Sequence, residues 1–521
     1  MRNLSNNLIE LSNETELAIE SFEKMKREKS KFKNPIESIV NTDFTHKLFE
    51  AGQREMRSLQ KAWKDNGGTG NKPNKLPHSI IAQTLKQHTR FVQLNSGRND
   101  ENSPLYVYLE DEGIYSSNRS IIDKYIRIVE WQVSRHDQSE VYNFLSNTAE
   151  RVEQTKDRYL IPVNNGIFNL KTKQLQSFDP KYVFTSKIDT DYIENAKHPE
   201  FEDGWNVDDW LMEIANNDVE IYNLLWEVIS DSINGNYSRK ISIWLVGDGS
   251  NGKGTYQDLI RHVVGTQNVA GLKIDQFAGN SNGQNFNLAM LEGKTVNIGD
   301  DVQSNLYIDD SSNFNSVVTG DSVIVEHKGK PGYVVEFTLT IIQSTNGLPR
   351  IKNKTDGTYR RFLFVPFEAK FDGEKLNHNI KDVYIRDKKV LEYVLNKSIN
   401  MDFNEFTIPK VSKEMLEDYK VSNDPVLEFK NEVFDEVMEE LKLDRLPKQT
   451  AHDMFKQFCK DRSYQSVGFN RFNEQFEKMI SAEYESKTIR WIKNDGELSF
   501  NIPVDARHPE RNKTYKGYIK L

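Results

Sequence analysis

The chain has 521 residues and a mass of 60.5 kDa, which is enough for several domains that each bury a core. Its net charge of −9 argues against a surface that coats nucleic acid everywhere, so any DNA binding has to use local basic patches. A mean hydropathy of −0.69, the lack of a long apolar run and a start without a signal-peptide core predict a cytoplasmic protein with no membrane partner. The single cysteine, Cys459, excludes internal disulfides and cysteine-rich zinc sites.

The first predicted elements are helices. Residues 8–64 carry Glu, Lys, Leu and Ala at helical spacing, and a run of Gly, Asn and Pro up to Pro77 predicts a flexible linker. Beyond the linker, Leu105–Leu109 alternates like a strand, two helical patterns follow, and a small meander is predicted around Asn164–Gly166. Helical spacing then returns over Val207–Ile233.

Residues Gly247–Thr255 read Gly-Asp-Gly-Ser-Asn-Gly-Lys-Gly-Thr, between the apolar run Ile241–Val246 and a helical pattern over Tyr256–Val264. A buried strand, a glycine-rich loop and a helix start together make a phosphate-binding loop, whose backbone N–H groups surround phosphate oxygens. An ordinary glycine-rich turn does not explain Lys253 at a helix start, where the helix dipole disfavours cations. The nucleotide-binding residues predicted from this motif are Gly247, Gly249, Ser250, Asn251, Gly252, Lys253, Gly254 and Thr255.

The residue after the lysine departs from the usual pattern. Gly254 stands where a Ser or Thr hydroxyl normally binds magnesium, so Thr255 is the replacement candidate. Some nucleotide kinases share this Gly-Lys-Gly-Thr ending. A small-molecule phosphotransferase therefore remains an alternative unless residues further along the chain exclude it.

Two further strands are predicted to end in polar side chains. Lys294–Asp301 is apolar and closes on Asp300 and Asp301; an acid at this place holds the magnesium shell and its neighbour polarises the attacking water. Taken alone, an Asp-Asp pair after an apolar run is usually an ordinary strand end. The run Phe337–Ile342 leads to Asn346, just past the carboxyl end of a strand, where ligands of parallel sheets collect and an amide can sense a γ-phosphate.

Basic residues follow in two places. Arg360 and Arg361 precede the predicted strand Phe362–Pro366, where they are either solvated surface charges or an arginine finger that reaches the nucleotide of a neighbouring subunit. Thr319–Val335 has the alternation of a hairpin with charged residues near its tip, which places them for phosphate contacts or simply keeps a turn soluble. The tip residues concerned are His327, Lys328 and Lys330.

These motifs, in this order, resemble superfamily 3 helicases: Gly-x-Gly-x-Asn-Gly-Lys-Gly-Thr, a strand ending Asp-Asp, Thr-Gly-Asp with the lysine hairpin, Ser-Thr-Asn-x-Leu-Pro, and Arg-Arg. They look most like the helicase part of phage and plasmid primase-helicase proteins, including the poxvirus-type branch. Ile161–Leu170 and Phe178–Pro180 are similar to the domain that precedes the helicase there. The resemblance covers residues 78–521.

The resemblance implies an AAA+ ring, commonly a hexamer, that hydrolyses ATP with Mg²⁺ between subunits and moves 3′ to 5′ on single-stranded DNA. The implied roles are phosphate binding for Lys253, magnesium and water for Asp300 and Asp301, γ-phosphate sensing for Asn346, trans action for Arg360 or Arg361, and DNA contact for Lys328 and Lys330.

The chain is strongly helical after Pro409, and Asn423–Phe429 resembles the entry to the winged-helix domain that ends these proteins. Thr488–Lys493 and Leu498–Ile502, joined by an Asn-Asp-Gly turn, predict a wing-like hairpin. Arg490 and Lys493 add positive charge there, so this end reads origin DNA, packs between subunits or recruits a partner. Replication initiators of phage satellites and pathogenicity islands need such an origin-binding end.

The predicted fold class is α/β: an AAA+ P-loop ATPase domain with an N-terminal α+β domain and a C-terminal winged-helix domain. The predicted boundaries are residues 1–77 for a helical segment and linker, 78–205 for the α+β domain, 206–410 for the helicase domain and 411–521 for the winged helix.

The predicted function is a DNA helicase and replication initiator that acts on single- and double-stranded origin DNA. An origin-binding ATPase switch without processive unwinding shares every motif and remains the alternative. The phosphotransferase reading rests on Gly-Lys-Gly-Thr alone. Primase activity is not expected, because residues 1–104 are too short for a primase domain and the nearest acids, Glu110 and Asp111, fall in a predicted turn.

Overall fold

The structure is a computed structural model, and it describes two compact units, Met1–Ile188 and Asp189–Leu521. The division between the units falls before the boundary that the sequence predicted after residue 205. The described residues are 36, 38–95, 103–278, 285–304, 306–326, 332–373, 377–462, 464, 466–492 and 509–521. Most of the predicted N-terminal helical segment therefore lies outside the described residues.

In the first unit, amphipathic helices pack against a mixed sheet. Its elements are α1 (Asp43–Asp65), α2 (His78–His88), β1 (Phe91–Leu94), β2 (Leu105–Leu109), β3 (Ile114–Ser116), α3 (Arg119–Val129), α4 (Arg135–Asn147), β4 (Glu150–Val152), β5 (Leu160–Val163), β6 (Gly166–Asn169) and β7 (Gln174–Gln176). One sheet has the order β3–β2–β1–β4, with β1 antiparallel to β2 and parallel to β4. The predicted meander is present as the antiparallel order β5–β6–β7.

The helices of this unit share one core. Leu48 of α1 packs with Ile81 of α2, Ile126 of α3 and Val141 of α4, and these side chains are buried. Helix α1 begins after Thr42, whose hydroxyl accepts the N–H of Thr45 while the Thr45 side chain accepts the N–H of Thr42. Helix α1 is thus an integral layer of the unit.

The end of the predicted linker is fixed in place. The N–H of Leu76 donates to a carboxylate oxygen of Glu130 at 3.0 Å, and the Leu76 side chain is buried in the helical core. The Lys75 Nζ lies 2.5 Å from an oxygen of Asp137 at the start of α4. The composition of this stretch predicted a flexible linker. Its last residues are instead held against the helices by the buried Leu76 side chain, by one hydrogen bond and by one ion pair.

The second unit holds the ATPase motifs. Its elements up to the sheet's last strand are α5 (Val207–Ile214), α6 (Val219–Ser232), β8 (Ser242–Val246), α7 (Lys253–Val264), β9 (Val269–Ala270), β10 (Val296–Val302), β11 (Tyr307–Ile308), α8 (Ser312–Thr319), β12 (Ser322–Val325), β13 (Tyr333–Glu336), β14 (Thr340–Thr345), β15 (Arg350–Ile351), α9 (Asp356–Tyr359) and β16 (Phe362–Pro366). The main sheet has the order β16–β8–β14–β10–β9, and neighbouring strands are parallel. Because the strands are parallel, their carboxyl ends meet at one edge.

The two strands of the predicted hairpin are present in the structure. Strands β12 and β13 pair antiparallel, with Val323 opposite Val335 and Val325 opposite Tyr333. Val323 and Val325 face the ATPase core, while the intervening Ile324 is exposed, which is the alternation that the sequence showed. The tip with His327, Lys328 and Lys330 lies outside the described residues.

The last part of the chain forms a small α/β module. Its elements, with the helices that lead to it, are α10 (His378–Asp382), α11 (Lys388–Ile399), α12 (Lys410–Asn423), α13 (Pro425–Phe429), α14 (Asp435–Glu440), β17 (Arg445–Pro447), α15 (Lys448–Asp461), α16 (Phe469–Ile480), β18 (Tyr484–Arg490) and β19 (Thr514–Lys520). Aromatic side chains such as Phe429, Phe472 and Trp491 fill its core, and Cys459 is buried among them. Burial raises the pKa of the Cys459 thiol to about 11, so this cysteine is an apolar core residue.

Strand β18 pairs antiparallel with β19, from Tyr484 opposite Lys520 to Arg490 opposite Thr514. The second strand of the hairpin that the sequence predicted, Leu498–Ile502, lies outside the described residues. Residues 493–508 lie outside the described part of the chain. The strand order is β17–β19–β18.

Helix α12 packs on the core of the main sheet, and the predicted boundary after residue 410 falls at the start of this helix. The buried side chain of Tyr419 packs with Trp244 of β8 and with Phe362 and Phe364 of β16. Its hydroxyl donates to the carbonyl of Pro349 at 2.7 Å. The helical pattern could not show which of its neighbours the apolar face covers.

A search of the described ranges finds no helix that is both long and apolar enough to cross a membrane.

Candidate functional site

The phosphate loop is built at the carboxyl end of β8. Gly252 has a φ of 86°, a left-handed conformation that favours glycine, and it caps the start of α7. A Cβ on Gly247 would lie 2.2 Å from the carbonyl oxygen of Phe367, so the backbone needs glycine there as well. Asn251, which is 4% exposed, donates from Nδ2 to the same carbonyl at 2.9 Å. The loop is therefore shaped by its own sequence and tied to the chain that follows β16.

A cavity of about 270 Å³ opens beside this loop. It brings together the loop, the end of β10, the end of β14 and one side chain from α10. Its lining residues are Gly249, Ser250, Asn251, Gly252, Lys253, Gly254, Thr255, Asp300, Asp301, Ser344, Thr345, Asn346 and Lys381. Most of the predicted nucleotide and metal residues thus line one cavity, although they are far apart in the sequence.

Lys253 points into this cavity from the first turn of α7. It is 8% exposed, and its Nζ donates to the carbonyl of Gly247 and lies 3.4 Å from Oδ1 of Asn346. Burial lowers the pKa of Lys253, and the charges of Asp248, Asp300 and Asp301 oppose that shift. The Lys253 amine is bonded to neutral oxygens and lies near carboxylates. Its position is therefore fixed before an anionic ligand binds.

The acid pair sits where β10 leaves the regular sheet. The register with β14 shifts between Gly299 and Val302, and Asp301 has a φ of 54°. Both carboxylates are exposed at the sheet edge. Left-handed backbone at a non-glycine residue is costly, and such strain clusters at functional sites.

Ser344 holds the acid pair in place. Its hydroxyl donates to Oδ1 of Asp300 at 2.6 Å and accepts the N–H of Asp301 at 3.3 Å. Ser344 is buried on β14, the strand next to β10. In the sequence this serine is only one residue of the Ser-Thr-Asn-x-Leu-Pro motif, because a role in orienting a carboxylate on another strand has no local signal.

Asn346 lies between the loop and the acids. It follows β14, and β14 is the strand between β8, which carries the loop, and β10, which carries the acids. The Asn346 amide oxygen is 3.4 Å from Lys253 Nζ. The predicted sensor is therefore placed beside the end of a nucleotide that the loop would bind.

The two arginines lie at the opposite end of the sheet. The carbonyl of Arg361 accepts hydrogen bonds from the N–H and the hydroxyl of Ser242, the first residue of β8, at 2.7 and 2.8 Å. The loop follows the other end of β8, roughly 16 Å away at the usual strand rise. Arg361 is half-buried and donates to the carbonyl of Gly357, whereas Arg360 is exposed. Neither arginine is among the residues that line the described cavity.

The predicted DNA contacts are mostly not described. Arg490 is exposed at the end of β18. His327, Lys328, Lys330 and Lys493 lie outside the described residues.

The cavity lining holds side chains that could bind Mg²⁺ together with phosphate oxygens. Thr255 and Asp300 line it together, which gives a hydroxyl and a carboxylate beside a phosphate loop. Across the described parts of the chain, no group of three or more His, Cys, Asp and Glu residues could hold a metal by itself. Mg²⁺ is usually bound by one or two carboxylates together with substrate phosphates and water, so this donor set suits it.

Comparisons with known proteins agree with these motifs. Residues 80–214 match the family described as D5 N terminal like, residues 421–509 match Poxvirus D5 protein-like, and residues 245–361 match a family of unknown function, DUF5906. A protein of Acanthamoeba polyphaga mimivirus that is named a helicase is 25% identical over 235 residues, which are 44% of this chain and 23% of the relative. The chain therefore spans less than a quarter of that relative.

Solved structures give a weaker likeness. An apo structure of the NrS-1 C-terminal region superposes with a TM-score of 0.47 and 9% identity, over 85% of this chain and 98% of that one. A second apo structure of that region has a TM-score of 0.45, also with 9% identity, over 80% of this chain and 96% of that one. The domain matches and the helicase-named relative support a D5-type primase-helicase family.

Proposed function

We propose that this protein, which has two segments matching D5 families, is an ATP-dependent DNA helicase that initiates replication of a mobile genetic element. The observation that carries the proposal is the single cavity shared by Lys253, Asp300, Asp301 and Asn346. A phosphate loop, an acid pair and a sensing amide are the parts that hydrolysis of a nucleoside triphosphate requires. The helicase-named relative and the Poxvirus D5 match add DNA as the partner.

In the proposed reaction, the loop would hold the phosphates of ATP, and a bound Mg²⁺ would supply charge neutralisation. Lys253 binds the phosphates, and Asp300, oriented by Ser344, takes part in holding the metal with Thr255. Asp301 polarises the attacking water, and Asn346 senses the γ-phosphate. The side chain's chemistry and its place in the cavity support each of these roles.

The position of the arginines supports action between subunits. An arginine at the amino end of β16 is too far from the loop of its own chain to touch phosphates there. Head-to-tail packing of identical chains would bring that end of one sheet to the loop of the next, which closes into a ring. Arg360 is the exposed member of the pair, so we assign the trans contact to Arg360. We propose a hexameric AAA+ ring.

DNA contact is proposed for two surfaces. The β12–β13 hairpin would present Lys328 and Lys330 to single-stranded DNA in the ring channel, with translocation 3′ to 5′. In the C-terminal module, the order helix, β17, α15, α16, β18, β19 suits a winged helix that reads the replication origin. Arg490, exposed at the end of β18, would contribute to that contact.

An origin-binding ATPase switch is the second candidate, and one observation favours it. The segment after Asn346 is bonded to α12, which leads directly into the C-terminal module: Tyr419 binds Pro349, and Asn423 binds both the N–H and the carbonyl of Ile351. Nucleotide state could then set the position of the module without processive unwinding. The phosphotransferase alternative has no support beyond its four-residue motif.

The first experiment measures unwinding of a forked duplex and single-strand-stimulated ATP hydrolysis, using wild type and Lys253→Ala. The helicase proposal expects both activities in wild type and neither in the variant. DNA-stimulated hydrolysis without unwinding would favour the switch. Wild-type hydrolysis rates in Lys253→Ala would refute the site. Primer synthesis belongs in the same assay series, because proteins of the D5 type often have primase activity and the expectation of none is not supported.

A further inference from the structure

A second lysine, Lys381, reaches the cavity from a part of the chain with no recognisable motif. It lies on α10, beyond the last strand of the sheet, and lines the cavity together with the phosphate loop. Its Nζ is 3.3 Å from Oδ2 of Asp258, which is on α7. Building on the proposed function, we propose that Lys381 is a second cation for the nucleotide's phosphates, and that Asp258 holds it beside the loop while no phosphate is bound.

Asp258 can release Lys381 because it has a second cationic partner. Its other oxygen, Oδ1, is 3.0 Å from Nη1 of Arg261, one turn further along α7. When Lys381 moves to a phosphate, Asp258 keeps Arg261 as its partner, so no carboxylate is left without a counter-charge. The Lys381 side chain is 55% exposed and that of Asp258 is 26% exposed, so the pair is weak enough to exchange.

The charge of the cavity explains why a second cation is needed. The ionisable side chains among its lining residues are the carboxylates of Asp300 and Asp301 and the ammonium groups of Lys253 and Lys381. With Lys253 alone, a triphosphate would meet a lining of net negative charge. Lys381 brings the lining to neutrality before any metal binds, and a lysine acts on phosphate as a compact point charge.

Two hydrogen bonds hold the chain before α10 and the backbone at Lys381. Before α10, the N–H of Phe371 donates to the carbonyl of Ser250 at 2.8 Å, which ties the chain after β16 to the phosphate loop. After α10, the side chain of Arg386 donates from Nε to the carbonyl of Lys381 at 3.3 Å. The backbone at Lys381 is therefore positioned while its side chain is free to turn between Asp258 and a phosphate.

The test is calorimetric binding of MgATP to the full chain at low and high salt. Lys381→Ala is expected to weaken binding about tenfold at low salt, as for loss of one charge-assisted hydrogen bond, with a smaller loss at high salt. Lys381→Arg should retain most of the affinity. Lys389→Ala removes an exposed lysine of the neighbouring helix α11, outside the cavity lining, and is the matched control.

Asp258→Asn tests the holding role separately. Because it releases Lys381, this variant should bind MgATP roughly threefold more tightly at low salt. Unchanged affinity in Lys381→Ala, or a loss that is equal at every salt concentration, overturns the phosphate contact. Unchanged or weaker binding in Asp258→Asn overturns the holding role. Failure of wild type to bind MgATP would instead refute the proposed function itself.

Discussion

Complementation between two inactive variants tests whether the arginines act in trans. Lys253→Ala removes the phosphate-binding amine but keeps the arginine pair, whereas Arg360→Ala keeps the loop and removes the exposed arginine. Each variant alone should be inactive, because loss of an arginine finger costs roughly 10³- to 10⁵-fold in turnover. In an equal mixture, an active site forms wherever an intact loop meets an intact arginine from the neighbouring chain.

The size of the recovery follows from the geometry. The arginine pair and the loop lie at opposite ends of β8, so one chain cannot supply both to one site. If subunits mix at random, about a quarter of the interfaces combine a good loop with a good arginine, so the mixture should recover about a quarter of wild-type hydrolysis. The assay is ATP hydrolysis after dissociation and reassembly, with Arg361→Ala in place of Arg360→Ala as the parallel mixture.

No recovery in either mixture, although both variants assemble with wild type, would refute trans action. Recovery with Arg361→Ala but not with Arg360→Ala would move the role to Arg361. The structure favours Arg360 as the residue that acts in trans, because the Arg361 side chain already donates to the carbonyl of Gly357.

Two further variants test other parts of the site. Ser344→Ala removes the 2.6 Å hydrogen bond to Asp300. We therefore expect roughly tenfold slower ATP hydrolysis and a higher Mg²⁺ requirement, both measured by titrating the metal. A Mg²⁺ dependence equal to that of wild type would show that Ser344 does not orient Asp300. Lys328→Ala combined with Lys330→Ala should abolish unwinding and reduce single-strand affinity while the fold is retained, measured by fluorescence anisotropy at several salt concentrations. Unchanged affinity at physiological salt would make these lysines a solvated turn.

The parts of the site that the sequence predicted are those with local patterns. A glycine-rich loop between a strand and a helix, an acid pair that ends a strand, and an asparagine after another strand each occupy a few consecutive residues. Parallel strands then bring their carboxyl ends together, so the cavity of Lys253, Asp300 and Asn346 follows from the motifs.

What the sequence could not show depends on contacts between distant segments. Lys381 has no neighbouring motif, and only the fold places it beside the loop. Strand β18 pairs with β19, and Tyr518 and Trp491 are buried in the same core, which is a long-range arrangement that no local pattern shows. Leu76 likewise shows that a linker composition does not reveal which of its side chains are buried.

The bonding of Asn423 has a practical consequence for dissecting the protein. Besides Ile351, its amide reaches the hydroxyl of Tyr359 at 3.0 Å, next to the arginine pair. A fragment cut at Pro409 would remove this amide together with Tyr419, and would uncover Trp244 and the adjoining face of β16. Such a fragment would have a disrupted core beside the main sheet, so loss of activity on truncation there would say nothing about whether the C-terminal module binds DNA. Cuts after residue 424 would separate the two questions.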